Sequence, residues 1–335
     1  MNSDFIVIHT HFHKRRTGVT RSIENVLPDL KQLCTTYLYG YGIEGEKITT
    51  SELKKLLFSN KNSVVHCHRN NEILKMLWYR VLGAKFKLVS TRHAETEPSG
   101  FTRFLLKKSD EVITLTNSMH KNLGIPNTKV SHGVDTNLFV PNSEKKLNHI
   151  SHKNIILCAG RVRKAKGQVV LLEAVAPELQ KNEDWSLVIV GKVDKPQFLE
   201  ELKEIAEKNQ IENQVYFIDE TSEIVSYYQA ATIAVVPSFT EGFSLVCAEA
   251  MACGNTVIAT ENVGVHSELI TNLESGYLFK SGNIAELQKL VHKLINKELP
   301  VLGKNARKEI EQNWSAQKEA KELVKVYEKV SQKLL

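Results

Sequence analysis

The sequence predicts an α/β protein of two domains built on parallel sheets. Short apolar runs at 155–159, 185–191 and 233–236 read as strands buried on both faces. Most are followed by a loop with glycine or charged residues, and then by a segment of helical character, the alternation of a parallel sheet. The length of 335 residues exceeds one ordinary core and suits two.

Composition narrows the class. Hydrophobic content of 42% and charged content of 24% are those of a soluble globular protein. No apolar run approaches the roughly 20 residues that span a bilayer. The start lacks a basic segment followed by a long apolar one, so no signal peptide is expected. Cys34, Cys67, Cys158, Cys247 and Cys253 are scattered without metal spacing and read as reduced thiols of a cytosolic protein. Residues 1–150 carry 22 Lys and Arg against 13 Asp and Glu, a balance of +9, whereas 151–335 carry 22 against 25, a balance of −3. A basic first half fits an anionic partner, and equally a solvated basic surface.

In order, residues 4–9 form a strand, followed by a donor-rich loop and a helix over 19–33. The loop places Gly18 beside a helix start, where the backbone can approach an anion, with Lys14, Arg15, Arg16 and Arg21 around it. His9, His11 and His13 alternate along the strand. A metal-hydrolase reading would need further histidines and an aspartate at later strand ends. His66 and His68 are the other candidates, with no acidic partner following either group, so a polar pocket is expected and metal is not. Strands over 63–67, 87–91 and 111–115 and a helix over 70–82 bring His66, His68, Arg69, Asn70, Arg92, His93 and Glu95 to one sheet edge. Phe101-Thr-Arg-Phe-Leu-Leu-Lys-Lys108 reads either as a helix touching a membrane surface or as a packing helix with exposed lysines.

The second half opens with the strand 155–159 and the turn Gly160-Arg-Val-Arg-Lys-Ala-Lys-Gly167, before a helix to 180. Two glycines around cations at a strand-to-helix turn suit a diphosphate, and the missing Gly-Lys-Ser/Thr ending excludes a Walker loop. The strand 185–191 ends in Gly191, the helix 197–209 is a charged surface element, and 215–218 precedes Asp219-Glu220. A last strand at 276–279, a helix over 283–296 and a long amphipathic helix over 314–335 complete the chain.

The stretch 233–259 organises the rest. Pro237 ends the strand 233–236, a loop covers 238–243, Ser244 is expected to cap the following helix, and Gly254 closes it. The helix start offers N–H groups and a positive dipole end to phosphate. Glu241 and Glu249 cannot serve phosphate, since like charges repel, so their partners are hydroxyls of a ribose and a sugar. The plain alternative is a loop glutamate and a solvated helix glutamate. Ala248, Ala250, Met251 and Ala252 around Glu249 weaken it.

Glu241-Gly-Phe-Ser-Leu-Val-Cys-Ala-Glu249, with Pro237-Ser238 before it and Ala250-Met-Ala-Cys-Gly254 after, resembles the E-x7-E signature of family 4 glycosyltransferases. The resemblance implies the GT-B fold, two Rossmann-like domains whose parallel sheets face across a cleft. An acceptor domain over 1–145, joined by a helix at 315–335, would then precede a nucleotide-sugar domain over 154–314, with a linker over 140–153. Metal-independent transfer with retained anomeric configuration is implied, with no cofactor beyond the donor. Arg161 and Lys166 would hold the donor diphosphate, Glu241 the transferred sugar and Glu249 the ribose. Gly18, Gly160, Gly191, Gly242, Phe243 and Ser244 would complete the donor site, with His93 as a polar contact to the sugar.

Phe12-His-Lys-Arg-Arg-Thr-Gly-Val-Thr20, His66-Cys-His-Arg-Asn-Asn-Glu-Ile-Leu74 and the 101–108 segment are similar to the lipopolysaccharide core mannosyltransferases. That implies mannose passing from GDP-mannose to the Kdo residue of the inner core. Lys14, Arg15, Arg16, His66, His68 and Arg69 would meet this anionic, lipid-linked acceptor, with the protein peripheral on the cytoplasmic face of the inner membrane. Alternatives are a family 4 transferase using a UDP-sugar on another glycan or lipid, a nucleotide-sugar epimerase and a metal-dependent hydrolase. A nucleic-acid binder would need aromatic platforms or an RNA module, and neither is visible.

Overall fold

Parallel pairing governs both halves of the chain. The computed structural model describes residues 5–59 and 61–332. It divides into one unit that reaches Asp135 and resumes at Trp314, and a second over Thr136–Asn313. The first unit holds β1 (Ile6–Phe12), β2 (Thr35–Tyr41), β3 (Ser63–Cys67), β4 (Lys87–Thr91), β5 (Glu111–Thr114) and β6 (Thr128–Lys129). Their order is β2-β1-β3-β4-β5-β6, every pair parallel. The second holds β7 (Asn154–Ala159), β8 (Trp185–Val190), β9 (Val215–Ile218), β10 (Ile233–Val236), β11 (Thr256–Thr260) and β12 (Tyr277–Phe279). These run β12-β11-β10-β7-β8-β9, again all parallel.

Alternation along the first sheet separates two cores. Ile8, Val65 and Leu88 face Leu53 of α2 (Thr50–Leu57), Met76 of α3 (Asn70–Val81) and Leu105 of α4 (Gly100–Lys107). Val7, Val64 and Val89 face Leu30 of α1 (Gly18–Leu33) and Leu323 and Val326 of the last helix, Ala316–Ser331. A short helix α5 (Asn117–Asn122) precedes β6. In the second unit, Ile156, Leu187 and Ile258 pack with residues of α6 (Gln168–Leu179), α7 (Pro196–Lys208) and a later helix, Ile284–Ile295. The remaining elements are α8 (Ile224–Ala230), α9 (Leu245–Ala252), α10 (His266–Leu269), α11 (Ile284–Ile295), α12 (Gly303–Asn313) and α13 (Ala316–Ser331). All five cysteines are buried free thiols, and burial pushes Cys158 and Cys253 up to about 12.

Some elements are new and one expectation changes. The edge strand β2 and the helices α2 and α12 carried no distinct signal in the sequence reading. The helix expected over 314–335 is present as Ala316–Ser331, capped where Ser315 Oγ accepts from the Lys318 N–H at 3.3 Å, and 333–335 lie outside the described residues. Residues 140–153 belong with the second unit rather than forming a separate linker. The changeover lies at Asp135–Thr136 because Arg307 donates to the carbonyls of Thr136 and Phe139, and Phe139 packs on Tyr228 at 6.0 Å between ring centroids.

A buried polar seam joins α13 to the first sheet. His9, directly opposite His66 in the ladder, lies on the sheet face covered by α13. Tyr327 Oη is 2.7 Å from His66 Nδ1 and 3.1 Å from His9 Nε2. His9 Nδ1 then meets His68 Nε2 at 3.2 Å, and His68 Nδ1 meets His93 Nε2 at 3.1 Å. His93 Nδ1 lies 3.3 Å from His132 Nε2, whose Nδ1 lies 2.8 Å from Glu319 Oε1 on α13. Burial depresses His9 to about 3 and His66 and His68 well below 6.5.

Acid should therefore act on this unit. A histidine whose folded pKa is lowered contributes stability that is present above the unfolded value, near 6.5, and is lost as pH falls toward the folded value. Each of the buried His9, His66 and His68 adds up to about 1.4 kcal/mol per pH unit in that window. Glu72, whose carboxyl burial pushes up, opposes this with one group against three. The urea midpoint should fall steeply between neutral pH and about pH 5.5. An unchanged midpoint would show the seam to be charged or open to water.

Candidate functional site

In the second unit the carboxyl ends of β7 and β10 carry the chemistry. The turn after β7 is a single 3₁₀ turn, Lys164–Lys166, closed by Gly167 at φ 71°. A Cβ at Gly167 would stand 2.0 Å from the Pro237 carbonyl, so glycine alone lets the turn lie against the β10 loop. That approach brings Lys166 Nζ to 2.5 Å from Glu241 Oε1, which also accepts from Ser238 Oγ at 2.7 Å. The Lys166 and Glu241 side chains are 15% and 9% exposed, so the pair is sheltered yet reachable. Arg161 lies on the same turn, 38% exposed, with Nη1 3.4 Å from Asp194 Oδ2. Gly160 and Gly191 both have positive φ, and a Cβ on Gly191 would meet the Gly160 carbonyl at 2.1 Å.

Ser244 departs from its expected role. Its side chain makes no cap hydrogen bond, and its backbone is left-handed at φ 90°, ψ 61°. A non-glycine residue there is strained, of order 1–3 kcal/mol, and persists only where surroundings hold it. The holder is His266. Its Nδ1–H donates to the Thr260 carbonyl at 2.9 Å, so Nε2 accepts from the Ser244 hydroxyl at 2.8 Å. Burial keeps His266 below its usual pKa, which favours this neutral form. The first N–H groups of α9 thus receive no cap from the Ser244 side chain. Phe243 is buried, and its carbonyl accepts from Val265 N–H at 3.2 Å. Gly242 is partly exposed between Glu241 and Phe243. Gly264 packs so tightly that a Cβ would stand 2.7 Å from Glu241 Cβ. Glu249 is buried on α9, with Oε2 accepting from Tyr228 Oη at 3.0 Å.

In the first unit, strand ends gather a second polar group. Glu72 on α3, unremarked in the sequence, accepts from Thr10 Oγ1 at 2.9 Å, Phe12 N–H at 3.1 Å and His68 N–H at 2.7 Å. It ties β1 to the segment after β3. Arg69 donates to Thr17 Oγ1 at 2.9 Å. Lys14 and Arg15 are exposed, whereas Arg16 pairs with Glu24 at 2.7 Å and Glu44 at 2.5 Å. Gly18 is the first residue of α1, and a Cβ there would meet nothing within 4 Å. Within this unit its place demands no glycine.

His66 and His68, expected to line a pocket, are taken inside the seam. His66 is 1% exposed and both its nitrogens are engaged, Nδ1 by Tyr327 and Nε2 by Thr91 Oγ1 at 2.7 Å. His93 is partly exposed, with both nitrogens engaged by His68 and His132, so a sugar contact there must replace one of those bonds. His9, His66 and His68 bring possible metal ligands within 4.8 Å of one another. All six of their ring nitrogens have hydrogen-bond partners, which an ion would have to displace. His11 stands apart, bonded to the Tyr41 carbonyl at 2.7 Å and to Thr20 Oγ1 at 3.0 Å.

Comparison with known proteins places this geometry. The chain is 28% identical over 97% of both sequences to the lipopolysaccharide core biosynthesis mannosyltransferase LpsB of Rhizobium meliloti (strain 1021). It is 27% identical to the corresponding LpcC of Rhizobium leguminosarum bv. viciae, over 97% of this chain and 96% of that one. The crystal structure of Anabaena HepE in complex with UDP superposes with a TM-score of 0.80 at 16% identity, over 97% of this chain and all of the other (100%), and so shares the fold. Residues 139–317, which contain Arg161, Lys166, Glu241 and Glu249, match the family profile described as glycosyl transferases group 1. With two parallel α/β units in the GT-B class and that match across more than half its length, the chain belongs to the group 1 glycosyl transferases.

Proposed function

We propose that this chain transfers mannose from GDP-mannose to the Kdo-containing inner core of lipopolysaccharide, with retained configuration and without a metal. The observation that carries the transfer chemistry is the Lys166–Glu241 pair beside Arg161 at the strand ends of the second unit. Departure of a nucleoside diphosphate places growing negative charge on phosphate oxygens. Fixed cations and the start of α9 stabilise that charge more in the transition state than in the ground state. An ammonium has three N–H donors, and Glu241 takes one of Lys166's, so phosphate can be met without breaking the pair. Glu241 holds sugar hydroxyls and Glu249 the ribose. The choice of mannose rests on the likeness to LpsB and LpcC.

A UDP-sugar is the second reading, favoured by the shared fold with HepE, which was solved with UDP. Turnover of GDP-mannose, UDP-glucose and UDP-N-acetylglucosamine, each with and without Kdo-bearing lipid A in EDTA, separates the two. GDP-mannose consumed only with the lipid acceptor is the expected outcome. Preference for a UDP-sugar would remove the donor assignment, and loss of turnover in EDTA would remove metal independence.

The acceptor is lipid-borne on this reading, and the first unit has a surface that suits a membrane. No helix among the described residues is long and apolar enough to cross one. Helices α3 and α4 lie side by side, joined by Asn70 to Thr102 at 2.8 Å and Arg80 to the Lys108 carbonyl at 3.2 Å. Leu74, Trp78 and Val81 of α3 and Phe101 and Phe104 of α4 are exposed, while Leu105 and Leu106 on the other side of α4 are in the core. Lys85, Lys107 and Lys108 are also exposed there. Apolar side chains among lysines match an anionic bilayer surface. Replacing Trp78 and Phe104 by Glu should weaken flotation with vesicles containing anionic lipid by about tenfold or more, given roughly 1.5–3 kcal/mol per buried large side chain. Equal flotation of the variant and the native protein would place the membrane contact elsewhere.

A further inference from the structure

The histidine seam has a direction, and one residue sets it. Seven hydrogen bonds link Thr91, His66, Tyr327, His9, His68, His93, His132 and Glu319 in that order. The hydroxyls of Thr91 and Tyr327 can donate in either sense, and a neutral imidazole has one N–H and one lone pair. The carboxylate of Glu319 can only accept, and its other oxygen already accepts the Gly133 N–H at 2.7 Å. An imidazole at His132 with a single N–H therefore has it on Nδ1, which leaves Nε2 to accept from His93 Nδ1–H. The same logic passes through His68 and His9. Tyr327 then donates to His9 Nε2 and accepts from His66 Nδ1–H, and Thr91 donates to His66 Nε2. Each bond then has one proton, and all five rings carry it on Nδ1. Burial of His9, His66 and His68 favours the neutral state of those three rings.

We propose that Glu319 is a positioning residue: through this chain it holds His93 as acceptor at Nε2 and donor at Nδ1, and so makes the place beside His93 a site for a neutral hydroxyl. His93 is the one member of the chain that is not buried. Where a ligand parts His68 from His93, 3.1 Å apart here, a hydroxyl between them accepts from His68 Nδ1–H and donates to His93 Nε2, reversing no proton. A carboxylate has nothing to donate to His93, and an ammonium cannot accept from His68. The site thus selects an alcohol, which a sugar supplies. Only the identity of that alcohol rests on the sugar-transfer reading.

Glu319→Gln tests this. With its amide oxygen kept on the Gly133 N–H, the side-chain NH₂ faces His132 Nδ1 and reverses each proton as far as His66. Tyr327→Phe is the control, since it cuts the chain beyond His9 and leaves the sense at His93 unchanged. Long-range ¹H–¹⁵N spectra of histidine-labelled protein near neutral pH report the tautomers. Nδ1–H signals are expected for His9, His68, His93 and His132 in the native protein and in Tyr327→Phe, and Nε2–H signals in Glu319→Gln. With GDP-mannose and acceptor, kcat/KM of Glu319→Gln should fall about tenfold or more, the scale of losing one hydrogen bond, while Tyr327→Phe stays within about twofold. Unreversed tautomers, or an unchanged kcat/KM beside reversed tautomers, would overturn the proposal. A native protein with no sugar transfer would sink the functional reading, and the spectra would still decide the sense of the chain.

Discussion

Parallel strand pairing places every carboxyl strand end of a sheet on one edge, and that constraint shapes both units. Strand ends carry backbone groups and polar side chains that must find partners once buried. In the first unit Glu72 answers the backbone N–H groups after β1 and β3, and the histidine seam answers the side chains on the opposite face. In the second unit the same edge carries Lys166 and Glu241, left partly accessible. A close pair of this kind gives little net stability after desolvation, so its retention at a strand end argues for chemistry rather than packing.

What holds the second site in shape lies mostly behind it. Gly167 and Gly264 let neighbouring loops lie closer to Pro237 and Glu241 than any side chain would permit. Ser244 adopts a left-handed backbone that His266 secures from a buried position. The strain at Ser244 and the absence of a side-chain cap go together. With the backbone left-handed, the Ser244 hydroxyl meets His266 rather than the first N–H groups of the helix.

Much of this was legible in the sequence. Central strands such as Ile233–Val236 and Ser63–Cys67 are apolar on both faces and bounded by proline or polar residues, which makes them visible as parallel strands. The edge strand β2 alternates exposed and buried residues and ends in Tyr-Gly-Tyr, a weaker signal without knowledge of its neighbour. Arg161, Lys166 and Glu241 could be singled out because glycines and charges cluster at strand-to-helix turns. Glu72, His132, His266, Glu319 and Tyr327 could not. Their partners lie far away in the chain, as with His132 and Glu319, 187 positions apart. Ser244 misled because a serine before an apolar helix reads as a cap, whereas its left-handed backbone takes the hydroxyl to a histidine 22 positions later. His66 and His68 were legible as a polar pair but not as buried ones, since burial is set by α13.

The central claim is that the Lys166–Glu241 pair divides the donor, the lysine holding phosphate and the glutamate holding sugar. Calorimetric titration of GDP and GDP-mannose into the native protein, Lys166→Met and Glu241→Gln tests it most directly. Lys166→Met should weaken both ligands by roughly 30-fold, the scale of losing a charged hydrogen bond of about 2 kcal/mol. Glu241→Gln should leave GDP binding near native while removing the added affinity for GDP-mannose. Equal weakening of GDP and GDP-mannose in Glu241→Gln, or no effect of Lys166→Met, would contradict the account.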